Sequence, residues 1–282
     1  TPTSPAKAGA RTGFLTVDGL RLRFRISGSG PPLLLVMGIG GHLEMWRPLV
    51  AALPDFETIT FDAPGTGESQ TPRWPMRMSG LAQLTEGLLE QLGYGQVDLL
   101  GVSFGGAVAQ QLAYKSPGRV RRLVLAATLC GLGGVPGRPS ALLLLATPYR
   151  YYSRRFFLAT APRLFGGEIA RRPELLQSHA RNRFVRAPSV MGYALQLGAI
   201  AGWSSLPFLH RIRQPTLVMA GDQDPIVPTV NGRILAARIP DARLHVVRGG
   251  GHLFLMDQAQ ASAAVIGDFL SGEEGLEASG GD

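Results

Sequence analysis

Apolar residues fall into two kinds of run along this chain. "LRLRFRIS" (20–27) alternates apolar and charged positions, the pattern of an edge strand with one wet face, whereas "LLLV" (33–36), "TITF" (58–61), "VDLL" (97–100) and "LVLAA" (123–127) are unbroken. Short unbroken runs suit strands covered on both faces. Between them, "SGLAQLTEGLLEQLG" (79–93) puts Leu81, Leu84, Leu88, Leu89 and Leu92 on one helical stripe, with Ser79 as its predicted cap and Gly93 as its stop. Alternating strands and helices predict a mostly parallel sheet with crossover helices. The alternation resumes at "PTLVMAG" (215–221) and continues through a helix around 231–239, the run "LHVV" (244–247) and a helix over 259–270.

Residues 131–213 break this rhythm. They contain helical stretches such as "ALLLLA" and "MGYALQLGAIAGW", punctuated by Pro136, Pro139, Pro148, Pro162, Pro173 and Pro188, with no strand pattern. The expected organisation is an α/β core over 14–130 and 214–271, an inserted helical cap over 131–213, and solvated tails at 1–13 and 272–282. Charge marks the same boundary. The chain of 282 residues carries a net +8, almost wholly on arginine, since Lys7 and Lys115 are the only lysines. Residues 131–213 hold 12 arginines against Glu168 and Glu174, a local +10 that leaves the remainder near −2, together with 10 of the 21 aromatic residues. Such a basic, aromatic surface suits nucleic acid, an anionic layer or acidic ligands, and equally a solvated arginine face over a helical core.

Composition removes several classes of function. Cys130 is the sole cysteine, which excludes an internal disulfide framework and a cysteine-rich zinc site, and its expected role is that of a small buried apolar residue. The opening "TPTSPAKAGARTG" lacks the apolar run of a signal peptide, and no stretch is long and apolar enough for a transmembrane segment.

The chemistry begins at "GVSFGG" (101–106), between a strand and a helix. Gly-x-Ser-x-Gly in that setting forms a nucleophile elbow, a strained turn that lifts the Ser103 hydroxyl above the sheet. Gly101 and Gly105 are required where side chains would strike the neighbouring strand and helix, and the Phe104 N–H at the helix start is an oxyanion donor. A serine hydroxyl needs a base and an orienting acid, expected in the chain order Ser, acid, His. "AGDQDPIVP" and "GGGHLFL" each follow a predicted strand. Asp224, stiffened by Pro225, is the favoured acid, and Asp222 is expected to bond loop amides; Asp62 precedes the serine and breaks the order. Of the five histidines, His245 lies within a strand, His179 and His210 fall in the cap, and His42 precedes the serine. His252, on its glycine loop, is the base. The second oxyanion donor is assigned to Ile39 in "MGIGGH" (37–42). Gly38 of that loop, with Tyr193 and Trp203 of the cap, are the substrate-contact candidates. The apolar cap residues Leu142 to Leu145, Phe156, Phe157, Tyr193 and Trp203 suit an aliphatic acyl chain, or else form only the cap's own core.

"PTLVMAGDQDPIVP", "GGGHLFL", "FDAPGTGESQTP", "GYGQVDLLGVSFGGAVAQQLA" and the cap phrase "APRLFGGEIARRPELLQSHA" together resemble the intracellular medium-chain-length poly(3-hydroxyalkanoate) depolymerases of the α/β-hydrolase fold. The resemblance covers roughly residues 14–270, cap included. It implies a triad of Ser103, Asp224 and His252, a stored aliphatic polyester as substrate, a cytoplasmic and granule-associated location, and no metal or organic cofactor. Three readings stay open at this point. The first is a polyester depolymerase docking on a granule through its basic cap. The second is a carboxylesterase, lactonase or cofactor-free perhydrolase acting on small molecules, and the third a non-catalytic binding protein on the same scaffold. Nucleic acid is not the expected partner, and the sequence leaves the oligomeric state open.

Overall fold

The computed structural model describes residues 10–272. Its strands are β1 (Arg11–Val17), β2 (Leu20–Ser27), β3 (Pro32–Val36), β4 (Glu57–Phe61), β5 (Val97–Val102), β6 (Val120–Ala126), β7 (Thr216–Gly221) and β8 (Ala242–Val247). They form one eight-stranded sheet in the order β1-β2-β4-β3-β5-β6-β7-β8, parallel except where β2 runs against β1 and β4. The helices are α1 (Arg47–Ala51), α2 (Met78–Leu92), α3 (Phe104–Lys115), α4 (Pro139–Leu145), α5 (Arg154–Phe165), α6 (Pro173–Arg183), α7 (Val190–Ile200), α8 (Thr229–Arg238), α9 (Phe254–Asp257) and α10 (Ala259–Ser271).

The unbroken apolar runs of the sequence are the central strands, for the reason of two-sided burial. On β3, Leu34 and Val36 join a core with residues of α2, α3 and α8, while Leu33 and Leu35 face the opposite core, built with Leu49, Phe254, Ile266 and Phe269. Leu81, Leu84, Leu88 and Leu89 of the α2 stripe are buried as the spacing predicts, Leu92 is half-buried against the same core, and Gly93 ends that helix in the left-handed conformation at φ 86°.

Three local expectations are corrected. β2 is not the edge. β1 pairs along its whole length, so residues 11–13 are strand rather than tail, while residues 1–9 and 273–282 lie outside the described residues. The hairpin turns on Asp18 and Gly19, both at positive φ (46° and 77°), a two-residue turn that Asp-Gly favours. Ser79 lies inside α2 rather than capping it, because the helix starts one residue earlier, at Met78, with Arg77 in the cap position.

Between β6 and β7 the described chain forms helices α4 to α7 and short 3-10 turns, with no strand element. These helices have a core of their own around Phe157, Ala161, Leu164, Phe165, Ile169 and Ala180, which also takes in Ile226, Val227 and Leu253 from the loops below. Gly131 bridges Ser204 where the segment leaves and rejoins the sheet domain, and Leu209 and Ile212 beyond that bridge are buried in the main core. Among the described residues no helix is long and apolar enough to cross a membrane.

Candidate active site

Ser103, Asp224 and His252, with Gly38, Ile39 and Phe104, sit at the carboxyl ends of parallel strands, where such sheets place their sites. Ser103 follows β5 at φ 55° and ψ −118°, a strained conformation for a residue with a side chain. The turn is held by the Ser103 N–H donating to the Ala126 carbonyl at 2.9 Å and by the Thr128 hydroxyl donating to the Ser103 carbonyl at 2.7 Å. Its glycines are steric requirements. A Cβ on Gly105 would lie 2.0 Å from the Val36 carbonyl oxygen, and one on Gly101 would lie 2.4 Å from the Gly105 carbonyl oxygen, backbone atoms that cannot swing aside.

Asp224 and His252 arrive from the loops after β7 and β8, and both are buried. His252 Nε2 is 3.0 Å from Ser103 Oγ, and His252 Nδ1 is 2.7 Å from Asp224 Oδ2. The other carboxylate oxygen of Asp224 accepts the backbone N–H groups of Ile226 (2.8 Å) and Val227 (2.9 Å). The loop-amide role expected of Asp222 therefore belongs to Asp224. Asp222 is exposed because it lies at the strand's very end, before the turn folds inward.

The cap braces this arrangement from above. The His252 N–H donates to the Phe165 carbonyl at 2.7 Å, and the Phe165 ring stacks on the imidazole with centroids 6.4 Å apart. The chain after α5 is pressed onto both loops. A Cβ on Gly166 would lie 2.3 Å from the Gln223 carbonyl oxygen, and one on Gly167 would lie 2.1 Å from the Gly251 nitrogen.

The loop after β3 passes over the serine, with the position of a Cβ on Gly38 3.4 Å from Ser103 Cβ. Tyr151 donates its hydroxyl to the Ile39 carbonyl at 2.8 Å, and the Gly40 N–H donates to Gln196 Oε1 at 2.8 Å, so two cap side chains fix this loop. The Ile39 N–H makes no backbone hydrogen bond among the described residues. Phe104 is the first residue of α3, where an N–H has no intrahelical acceptor. Both candidate donors thus remain free to meet a negative oxygen beside Ser103.

Two cavities meet at Ser103. The larger, about 430 Å³, is apolar and lined by Ile39, Phe104, Leu142, Leu145, Leu197 and Ile226 among others. The smaller, about 50 Å³, is lined by Gly38, Ile39, Tyr151, Arg150, Arg183 and His252 among others. Two expected substrate contacts, Tyr193 and Trp203, line neither cavity. Tyr193 is wholly buried against Gly40 and donates its hydroxyl to the Leu145 carbonyl, and burial pushes that hydroxyl's pKa up to about 12. Trp203 stands at the cap's return to the core, its indole N–H bonded to Gln111 Oε1 on α3 at 3.0 Å. Phe157 belongs to the cap's own core. Of the cap leucines, Leu142 and Leu145 do face the larger cavity.

Among the described residues, three of the other histidines and the cysteine make no hydrogen bond to Ser103, although His179 lines the smaller cavity. His42 is buried between Glu44 Oε2 (2.9 Å) and the Arg183 carbonyl (3.2 Å), His179 bonds Asp257, and His245 lies in β8. Cys130 is buried, and burial pushes its thiol pKa up, which keeps it in the unreactive protonated form. Among the described residues no group of three or more His, Cys, Asp or Glu is placed to hold a metal ion.

Under the loop after β3 lies an ionic cluster. Arg23 contacts Glu44 at 2.8 Å, Glu68 at 3.2 Å and Asp62 at 3.6 Å, while Asp62 accepts the Leu43 N–H at 2.8 Å and the Glu68 N–H at 2.9 Å. Burial opposes ionisation of Glu44, but hydrogen bonds from His42, its own backbone amide and Arg23 outweigh it and bring the pKa down from 4.5 to about 2. A depressed folded-state pKa contributes stability above the unfolded value that is lost as pH falls through the folded one. Glu44→Gln is therefore expected to lower stability at neutral pH by on the order of 2 to 3 kcal/mol, roughly 5 °C in Tm. The gap should close between pH 4.5 and about 2. Thermal melts of the two proteins across that window check it, and a gap unchanged at pH 2 would contradict it.

The family described as alpha/beta hydrolase fold matches residues 31–259. The poly(3-hydroxyalkanoate) depolymerase of Ectopseudomonas oleovorans is 50% identical over 243 residues, which is 86% of this chain and 85% of that protein. Among solved structures, the enol-lactonase from Burkholderia xenovorans superposes with a TM-score of 0.78 at 27% identity, covering 92% of this chain and all of the other. A thermophilic esterase from Thermogutta terrifontis gives 0.77 at 29% identity, covering 93% of this chain and 98% of the other.

Proposed function

The chain belongs to the α/β-hydrolase fold family, and on that premise we propose that it is a serine hydrolase cleaving the esters of an aliphatic poly(3-hydroxyalkanoate) through an acyl-enzyme. The observation that carries this reading is the line of contacts from Asp224 Oδ2 through His252 to Ser103 Oγ, at 2.7 and 3.0 Å. The polyester rests on the 50% identity to a depolymerase of that polymer.

Ser103 Oγ attacks the ester carbonyl carbon while His252 Nε2 takes its proton. The carbonyl oxygen gains the negative charge and meets the Ile39 and Phe104 N–H groups, each donor contributing on the order of 3 kcal/mol in the transition state. Asp224 holds the imidazole in the tautomer whose Nε2 can accept. The tetrahedral centre collapses, the alcohol oxygen leaves with the proton from His252, and the acyl group stays on Ser103. Water then attacks the acyl carbon, His252 again takes and returns the proton, and the carboxylic acid departs. The cap suits a polymer surface, since Leu143, Tyr149, Tyr152, Val190 and Met191 are exposed on it along with Arg154 and Arg155.

The test is clearing of an aqueous suspension of medium-chain poly(3-hydroxyalkanoate), run beside a soluble p-nitrophenyl octanoate assay. Clearing by the wild-type protein and none by Ser103→Ala is the expected result. Rapid turnover of the soluble ester with no clearing would transfer the function to small esters, and no turnover of either would end the reading.

A further inference from the structure

Arg150 and Arg183 are each only 2% exposed, and neither forms an ion pair with a carboxylate among the described residues. Arg150 Nη1 donates to the Thr147 carbonyl at 2.8 Å, but Arg150 Nε, Arg183 Nε and Arg183 Nη1 are buried without a hydrogen-bond partner. Aromatic rings hold the two cations. The Arg183 guanidinium carbon lies 4.6 Å from the Tyr151 ring centre, 5.1 Å from Phe157 and 5.3 Å from Phe165, and that of Arg150 lies 4.8 Å from Tyr151. Ring faces offset part of the lost hydration, yet two like charges kept from water without an anion are costly. Burial, with the like charge of Arg150 beside it, pushes the Arg183 pKa down.

Both arginines line the smaller cavity together with Ser103 and His252. That placement assigns a side of the scissile bond. The leaving alcohol oxygen must receive its proton from His252 Nε2, and His252 lines the smaller cavity but not the larger. The alcohol half therefore lies with the arginines, and the acyl half in the apolar cavity of about 430 Å³.

We propose that Arg150 and Arg183 bind a carboxylate on the alcohol half of the ester, so that the substrate is an ester of a hydroxy acid whose own carboxyl group is free. Resting on the polyester reading above, this makes the chain's carboxyl end the point of cutting and a single hydroxy acid the released alcohol. A carboxylate supplies the missing counter-charge and accepts from the guanidinium forks, and it leaves with each product.

Calorimetric titration of the Ser103→Ala protein with 3-hydroxyoctanoate and with its methyl ester tests the site without any turnover. It therefore reads the site even if polymer clearing fails, and clearing reads the polymer even if the site fails. The acid is expected to bind roughly tenfold or more tightly than the ester. Adding Arg183→Met, or Arg150→Met, should bring that ratio near one, with folding checked by circular dichroism. Exchange of a buried charge for an apolar group of similar length is commonly tolerated. Equal affinity for acid and ester, binding of neither, or a preference that survives both arginine changes would overturn the proposal; the first two need no arginine variant.

Discussion

Ester turnover is expected to fall by roughly 10⁴-fold or more when Ser103 becomes alanine, because the attacking oxygen is removed and only the oxyanion donors and substrate binding remain. The fold should not change. Alanine has no hydroxyl to lose from a cap, since the Ser103 side chain makes no helix-capping bond, and the backbone bonds to Ala126 and Thr128 are kept. The backbone strain at φ 55° persists equally in both proteins. Labelling with a fluorophosphonate probe, followed by gel and mass spectrometry, measures the loss directly. Equal labelling of parent and variant would remove Ser103 from the nucleophile's role.

The second large effect belongs to Asp224→Asn, and its cause is a tautomer rather than a lost contact. Asp224 Oδ1 accepts two backbone N–H groups, at 2.8 and 2.9 Å, and an amide NH₂ cannot accept either. The asparagine oxygen must therefore occupy that side, which turns its NH₂ toward His252 Nδ1. The imidazole must then present a lone pair at Nδ1 and carry its proton on Nε2, where it donates to Ser103 Oγ instead of accepting from it. A fall in kcat of about 10⁴-fold is expected, with Tm nearly unchanged because the loop bonds survive. Asp222→Asn, at an exposed position two residues earlier, is expected to change neither quantity. A variant at position 224 that keeps more than a tenth of the parent's kcat would reassign the acid.

The fold's plan could be read because two-sided burial leaves its mark on each strand separately, as in 33–36 and 97–100. The meeting of Ser103, Asp224 and His252 was legible because chain order and strand ends constrain where the three side chains fall without any knowledge of the cap. β1 escaped because "RTGFLTV" has a mixed pattern and becomes a strand through pairing with β2; the Asp18-Gly19 pair was the signal that could have revealed it. Tyr151 and Gln196 act on Ile39 and Gly40 across 112 and 156 residues of sequence, and no local pattern encodes such a contact. Arg150 and Arg183 were visible only as part of a basic segment. Their burial beside Ser103, which separates them from the solvated arginines, is a property of packing.

The glycine stretch that follows α5 has a practical consequence for redesign. Exchanging the whole insertion with that of another hydrolase, an obvious way to alter substrate range, would also remove the carbonyl that steadies His252 and the two glycines that let the acid and histidine loops close beneath them. A chimera that retains residues 164–168 together with Tyr151 and Gln196, which hold the loop of Ile39 and Gly40, should keep its chemistry; one that drops them should lose rate on every substrate alike.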